Sequence, residues 1–106
     1  MEKRMKRIYR SVLELVGNTP LVALEHYAAE QGLEGTLLAK VERGNPGGSV
    51  KDRVAVHMLD TAEAEGKLRP GAVIIEPTSG NTGVGLAMAA AVRGYRMIVT
   101  MPETMS

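Results

Sequence analysis

AVIIEPTSGNTGVGLAMAAAVRGYRMIVTM, residues 72–101, changes its hydrophobic pattern twice and so decides the fold class. Ala72 to Glu76 is a short unbroken apolar run of the kind found in a strand covered on both faces. A loop of small and polar residues, PTSGNTG, follows. Val84 to Val92 is apolar almost all round, which predicts a buried helix with Gly94 as its C-cap. Tyr95 to Met101 returns to strand. Working outward, Val50, Val54, Ala55, Met58, Leu59 and Ala62 recur at helical spacing from Ser49 onward, with Arg53, His57, Asp60, Glu63 and Glu65 on the other side. Ser49 and Asp52 fit capping-box spacing, and Gly66 with Pro70 marks the stop. Thr36 to Glu42 precedes that helix as a strand. Strand, helix, strand, helix, strand with short links implies parallel pairing through right-handed crossovers, a partial open, mainly parallel α/β sheet with flanking helices.

Further toward the N-terminus, GNTPLVAL (Gly17 to Leu24) reads as a turn entering a short strand, and His26 to Gln31 as a short helix ending at Gly32. Ser11 to Leu15 reads as a helical turn. The opening MEKRMKRIYR holds five basic residues in ten. It reads as a solvated arm and not as a nucleic-acid or membrane footprint, because no second basic patch extends it.

Composition narrows the classes. A chain of 106 residues holds one small domain, and with no Phe or Trp and three Tyr its core is built from Val, Leu, Ile, Met and Ala. Thirteen Lys plus Arg against twelve Asp plus Glu leaves a formal charge of +1, so a charged partner is recognised locally. Cysteine is absent, which removes disulfides, thiolate catalysis and Cys-ligated zinc. No metal site is expected. No signal-peptide run or membrane span is apparent, and a cytoplasmic location is expected, with neither nucleic acid nor membrane as partner.

The chemistry concentrates in two loops at strand carboxyl ends, where open α/β sheets bind ligands. Gly44 to Ser49 and Thr78 to Gly83 are both rich in glycine and small polar residues at a helix start, where backbone N–H groups and the dipole favour an anion. Neither is a nucleotide motif: Lys51 is flanked by Val50 and Asp52 rather than Gly and Ser/Thr, and Gly83 and Gly85 lack the third glycine at Met88. Lys51 is the anomaly. The positive end of a helix disfavours an ammonium by roughly 0.3–1 kcal/mol. That dipole end, with Arg53 close by in sequence, would lower the lysine pKa and leave free amine to attack a carbonyl, as Schiff-base chemistry requires. A surface lysine balanced by Asp52 is the equal alternative.

Four ordered blocks, VGNTPLV (16–22), NPGGSVKDR (45–53), EPTSGNTG (76–83) and MPETMS (101–106), resemble the cysteine synthases, also called O-acetylserine sulfhydrylases, of the fold type II pyridoxal phosphate enzymes (tryptophan synthase β-like fold). The resemblance runs from about Ser11 to the last residue. It implies that Lys51 binds the pyridoxal phosphate cofactor covalently and later removes the substrate Cα proton. It implies that Asn81 hydrogen-bonds the cofactor's ring oxygen, and that Thr78, Ser79, Gly80, Asn81 and Thr82 hold the substrate α-carboxylate. The implied reaction is β-replacement: O-acetylserine loses acetate and gains sulfide to give cysteine. His57 is expected to be an exposed helix residue with no part in it.

Members of that family are longer, so the chain is expected to be an amino-terminal portion. Residues 1–34 form the arm, turn and first strand and helix, and residues 35–106 an incomplete N-terminal α/β domain carrying the cofactor lysine. Weak cofactor retention by this polypeptide alone is expected. Homodimerisation of the full-length protein and an association with serine acetyltransferase are further implications of the resemblance. Other fold type II enzymes, among them cystathionine β-synthase, serine or threonine dehydratase and threonine synthase, are the enzymatic alternatives. A non-catalytic binding or assembly fragment using the Val84 to Val92 helix as a partner surface is the alternative from another class.

Overall fold

The apolar seam that repeats every three to four residues after Ser49 forms the helix it predicts, α2, Lys51–Ala64. A computed structural model describes residues 8–78 and 80–104 of the chain, so the expectations for the first part of the basic arm, for Ser79 and for Met105 and Ser106 lie outside the described residues. In chain order the elements are β1 (Leu21–Ala23), α1 (Glu25–Glu30), β2 (Leu38–Lys40), α2, β3 (Val73–Pro77), α3 (Asn81–Arg93) and β4 (Arg96–Thr100), with 3-10 turns at Val12–Leu15 and Glu42–Gly44. The chain is α/β, as expected.

β3 and β4 pair in parallel, Val73 opposite Arg96 through Pro77 opposite Thr100, and α3 is the crossover between them. Gly94 closes α3 in the left-handed conformation at φ 81°, as its place after Arg93 predicts. On one face of this sheet Ile74 and Met97 pack against Ala55, Leu59, Leu86 and Ala89, the buried cluster between α2 and α3. Each fully buried leucine there removes enough apolar area from water to stabilise the fold by roughly 1.5–3 kcal/mol. Arg93 bridges Asp60 (2.7 Å) and Glu63 (3.1 Å), and the Tyr95 hydroxyl donates to Glu63 at 2.5 Å. The last bond raises the Tyr95 pKa above its ordinary value, because the donated proton is held by a carboxylate.

Four expectations are corrected. The strand expected over 36–42 to join the parallel sheet instead gives β2, which pairs antiparallel with β1 in a separate sheet, Leu21 opposite Lys40 and Ala23 opposite Leu38. The helix in their connection is six residues long, too short for the usual crossover that returns a chain parallel to itself. The expected strand over 36–42 shrinks to Leu38–Lys40, since the backbone coils into the 3-10 turn at Glu42. β3 is not covered on both faces: α2 and α3 line one side, and Val73 (46 %) and Ile75 (62 %) are exposed on the other. For the same reason α3 buries Gly83, Gly85, Leu86, Ala89 and Ala90 while leaving Val84 and Val92 exposed. The Cα radius of gyration is 17.9 Å, against about 13 Å for a compact domain of this length.

Candidate active site

The first turn of α2 is held from three directions. Ser49 Oγ accepts the Lys51 backbone N–H at 3.1 Å, one of the donors that a helix start leaves unsatisfied. The capping box does not close. Asp52 instead turns inward, fully buried, and its Oδ2 accepts the Gly47 N–H at 2.5 Å. A Cβ on Gly47 would overlap that carboxylate, so the loop passes there only because residue 47 has no side chain. Asp52 Oδ1 is buried with no hydrogen-bond partner among the described residues.

The third hold is a polar network between segments distant in sequence. Glu42, on the 3-10 turn, receives a forked pair from Arg53, Nε to Oε1 at 2.8 Å and Nη2 to Oε2 at 3.1 Å. The buried Thr19 donates its hydroxyl to Glu42 Oε2 at 2.6 Å and accepts from Arg53 Nη2 at 3.1 Å. The buried Asn45 amide donates to the Glu42 carbonyl (2.8 Å), to Glu42 Oε1 (2.9 Å) and to the Ser49 carbonyl (3.1 Å), while its Oδ1 accepts the Gly17 N–H at 2.7 Å. Lys40 Nζ donates to the Thr19 carbonyl at 2.8 Å. The Arg53 fork, then the Thr19 and Asn45 donors, hold the Glu42 carboxyl at about 2, far below its usual 4.5; the same pairing raises Arg53. The guanidinium expected to act on the Lys51 amine is therefore committed to Glu42.

At the other loop, Thr78 is half-buried and its Oγ1 accepts the N–H groups of Gly80 (3.4 Å) and Gly83 (3.2 Å), which fastens the start of α3. Gly80 is the exposed N-cap, Asn81 the exposed first residue of α3, and Thr82 is half-buried.

Helix packing brings the two loops together. A Cβ on Gly85 would lie 3.0 Å from the Lys51 carbonyl oxygen and 3.1 Å from Ala55 Cβ, so the second turn of α3 presses on the first turn of α2. Further along, Arg93 meets Asp60 and Glu63. Both helices therefore run in the same direction, and Asn81, one turn before Gly85, starts roughly 6 Å ahead of it at 1.5 Å per residue. The exposed Lys51 lies with Thr78, Gly80, Asn81 and Thr82 at one end of the helix pair, and nothing stands within 4 Å of a Cβ built on Gly48 or Gly80. An accessible primary amine beside two helix N-termini with open space at both loops fits an aldehyde that carries anionic groups. His57 is exposed on α2, 3.5 Å from Thr61 Oγ1.

Sequence reasoning missed the Thr19–Glu42–Asn45–Arg53 network and the burial of Asp52. Thr19 and Asn45 look like turn residues, and contacts spanning 23 to 34 residues leave no local period.

Residues 12–106 match the family of pyridoxal-phosphate dependent enzymes. The chain is 55% identical to cystathionine beta-synthase of Rattus norvegicus over 100 residues, which is 94% of this chain and 18% of that protein. Among solved structures, O-ureido-L-serine synthase superposes with a TM-score of 0.85 at 48% identity, over 93% of this chain and 30% of that one. A hydrogen sulfide-producing enzyme of Fusobacterium nucleatum superposes at 0.82 and 42% identity, over 96% and 33%. The chain spans about a fifth of the length of the curated relatives it matches.

Proposed function

From the premise that the chain belongs to the pyridoxal-phosphate dependent enzymes, of fold type II, we propose that it carries the reactive lysine of an enzyme replacing the β-substituent of a serine-type amino acid by a sulfur nucleophile. The observation that carries this reading is the contact of Gly85 with the Lys51 carbonyl, which sets the amine-bearing turn beside the small-residue loop.

The roles divide between the two loops. Lys51 Nζ would hold the cofactor's carbonyl carbon and, with substrate bound, would be the base that receives the proton leaving Cα. The loop of Thr78, Ser79, Gly80, Asn81 and Thr82, at the positive end of α3, binds the substrate α-carboxylate. The Asn81 amide would hold the cofactor through its ring oxygen. When bound, pyridoxal phosphate supplies the electron sink that makes the Cα proton removable. In the net replacement the leaving oxygen would take the electron pair of the Cβ–O bond, the sulfur nucleophile would bond to Cβ, and Lys51 would return the proton to Cα.

The donor and nucleophile in this proposal are O-acetylserine and sulfide, as the EPTSGNTG and MPETMS blocks suggest. A second reading, in which homocysteine is the nucleophile, is supported by the 55% identity to cystathionine beta-synthase. Competition between sulfide and homocysteine, assayed on the intact protein that contains this chain, decides between them. Preference for sulfide with O-acetylserine supports the first reading, and preference for homocysteine replaces it by the second. Lys51→Ala abolishes turnover of either pair, and a Lys51→Ala protein with native turnover overturns both.

A further inference from the structure

Lys51 and Arg53 are two residues apart in the first turn of α2, so their side chains leave the helix on nearly opposite sides. Lys51 is exposed, whereas Arg53 reaches back to Glu42 and Thr19 with a two-pronged grip that fixes distance and orientation together. Asn45 completes the hold on the other flank, joining Glu42 to the carbonyl of Ser49. The residues two before and two after Lys51 are thus tied to the same carboxylate. The apolar seam cannot do this, because its first wholly buried member is Ala55, a turn further on.

We propose that Arg53, forked onto Glu42 and Thr19, is a positioning residue that sets the rotation of the first turn of α2 and hence the direction in which Lys51 presents its amine to the Thr78–Thr82 loop. The role rests on the reading of Lys51 as the reactive amine. Through Thr19 and the Asn45–Gly17 bond the same grip makes the orientation of Lys51 depend on the Gly17–Pro20 turn. A lysine in place of Arg53 keeps the charge and loses the fork, so it separates orientation from simple charge pairing.

The test measures covalent attachment of pyridoxal phosphate to Lys51, trapped with borohydride, located by peptide mass and expressed per folded molecule from circular dichroism. Hydrogen exchange of residues 49–53 is followed in parallel. Because an ångström of misplacement can cost a reacting group up to about 100-fold, Arg53→Lys is expected to slow attachment about tenfold. Thr19→Val slows it less and Thr19→Ser restores it. Exchange accelerates in residues 49–53 and not in residues 86–93. Native attachment rates per folded molecule in both Arg53→Lys and Thr19→Val overturn the proposal. So does faster exchange in residues 49–53 with unchanged attachment, which would make the network a brace without influence on the amine. Failure of the unsubstituted protein to attach the cofactor at Lys51 overturns the functional reading instead, and the exchange comparison then decides alone whether the fork holds the turn.

Discussion

The β1–α1–β2 segment and the α2–α3–β3–β4 unit are built on opposite principles. In the first, neither strand nor helix contains a buried residue, and the pieces are joined by backbone bonds such as Leu24 N–H to the Leu37 carbonyl (2.9 Å) and Val41 N–H to the Pro20 carbonyl (3.0 Å). In the second, two helices and a parallel strand pair enclose Ala55, Leu59, Leu86 and Ala89. Apolar burial is nondirectional and supplies the bulk of the stability, while hydrogen bonds of modest net value fix where segments meet. The Thr19–Glu42–Arg53 network lies where the two regions join, so the position of the candidate site depends on both kinds of force.

The largest expected effect tests the division directly. Leu86→Ala empties a site 1 % exposed and should cost about 2–5 kcal/mol in denaturant unfolding. Leu21→Ala, at a residue 60 % exposed, should stay within about 0.5 kcal/mol; equal losses would erase the contrast. Gly85→Ala comes next. Its new methyl meets the Lys51 carbonyl and Ala55 Cβ, neither of which can yield unless the helices part. Overpacking of roughly 1–3 kcal/mol therefore outweighs the roughly 1 kcal/mol that alanine gains over glycine within a helix. Gly80→Ala, in open space, should leave the unfolding midpoint near native.

The junction gives a smaller, pH-dependent signal. Glu42 binds its proton more weakly folded than unfolded, so its contribution is fully present above about 4.5 and is lost as pH falls toward about 2. Acid titration of stability should be shallower in that window for Glu42→Gln, and a curve identical to the native one would remove Glu42 from the account. The smallest effect belongs to the outer region: His26 and Glu30 form a pair 93 % and 63 % exposed, and His26→Ala should change stability by less than about 0.5 kcal/mol.

What could be read from residue order follows the same boundary. α2, α3, the Gly94 cap and the parallel β3–β4 pair were legible because periodicity, a glycine after the last turn and a strand–helix–strand order each reflect local chemistry. Strand sense in β1–β2 was not legible, since a 14-residue connection between Ala23 and Leu38 suits either direction until its helix proves short. Nor was the inward turn of Asp52: a carboxylate at a helix start reads as a cap, and the bare backbone of Gly47 is what lets it turn inward.

The one-sided clothing of the β3–β4 ribbon also changes how this polypeptide must be handled at the bench. With Val73, Ile75 and Ile98 open to water in the folded state, a fluorogenic dye that lights up on greasy surfaces should glow before any heat is applied. In such a melt, dimming as well as brightening can mark the transition, and the dichroism of α2 and α3 is the sounder thermometer.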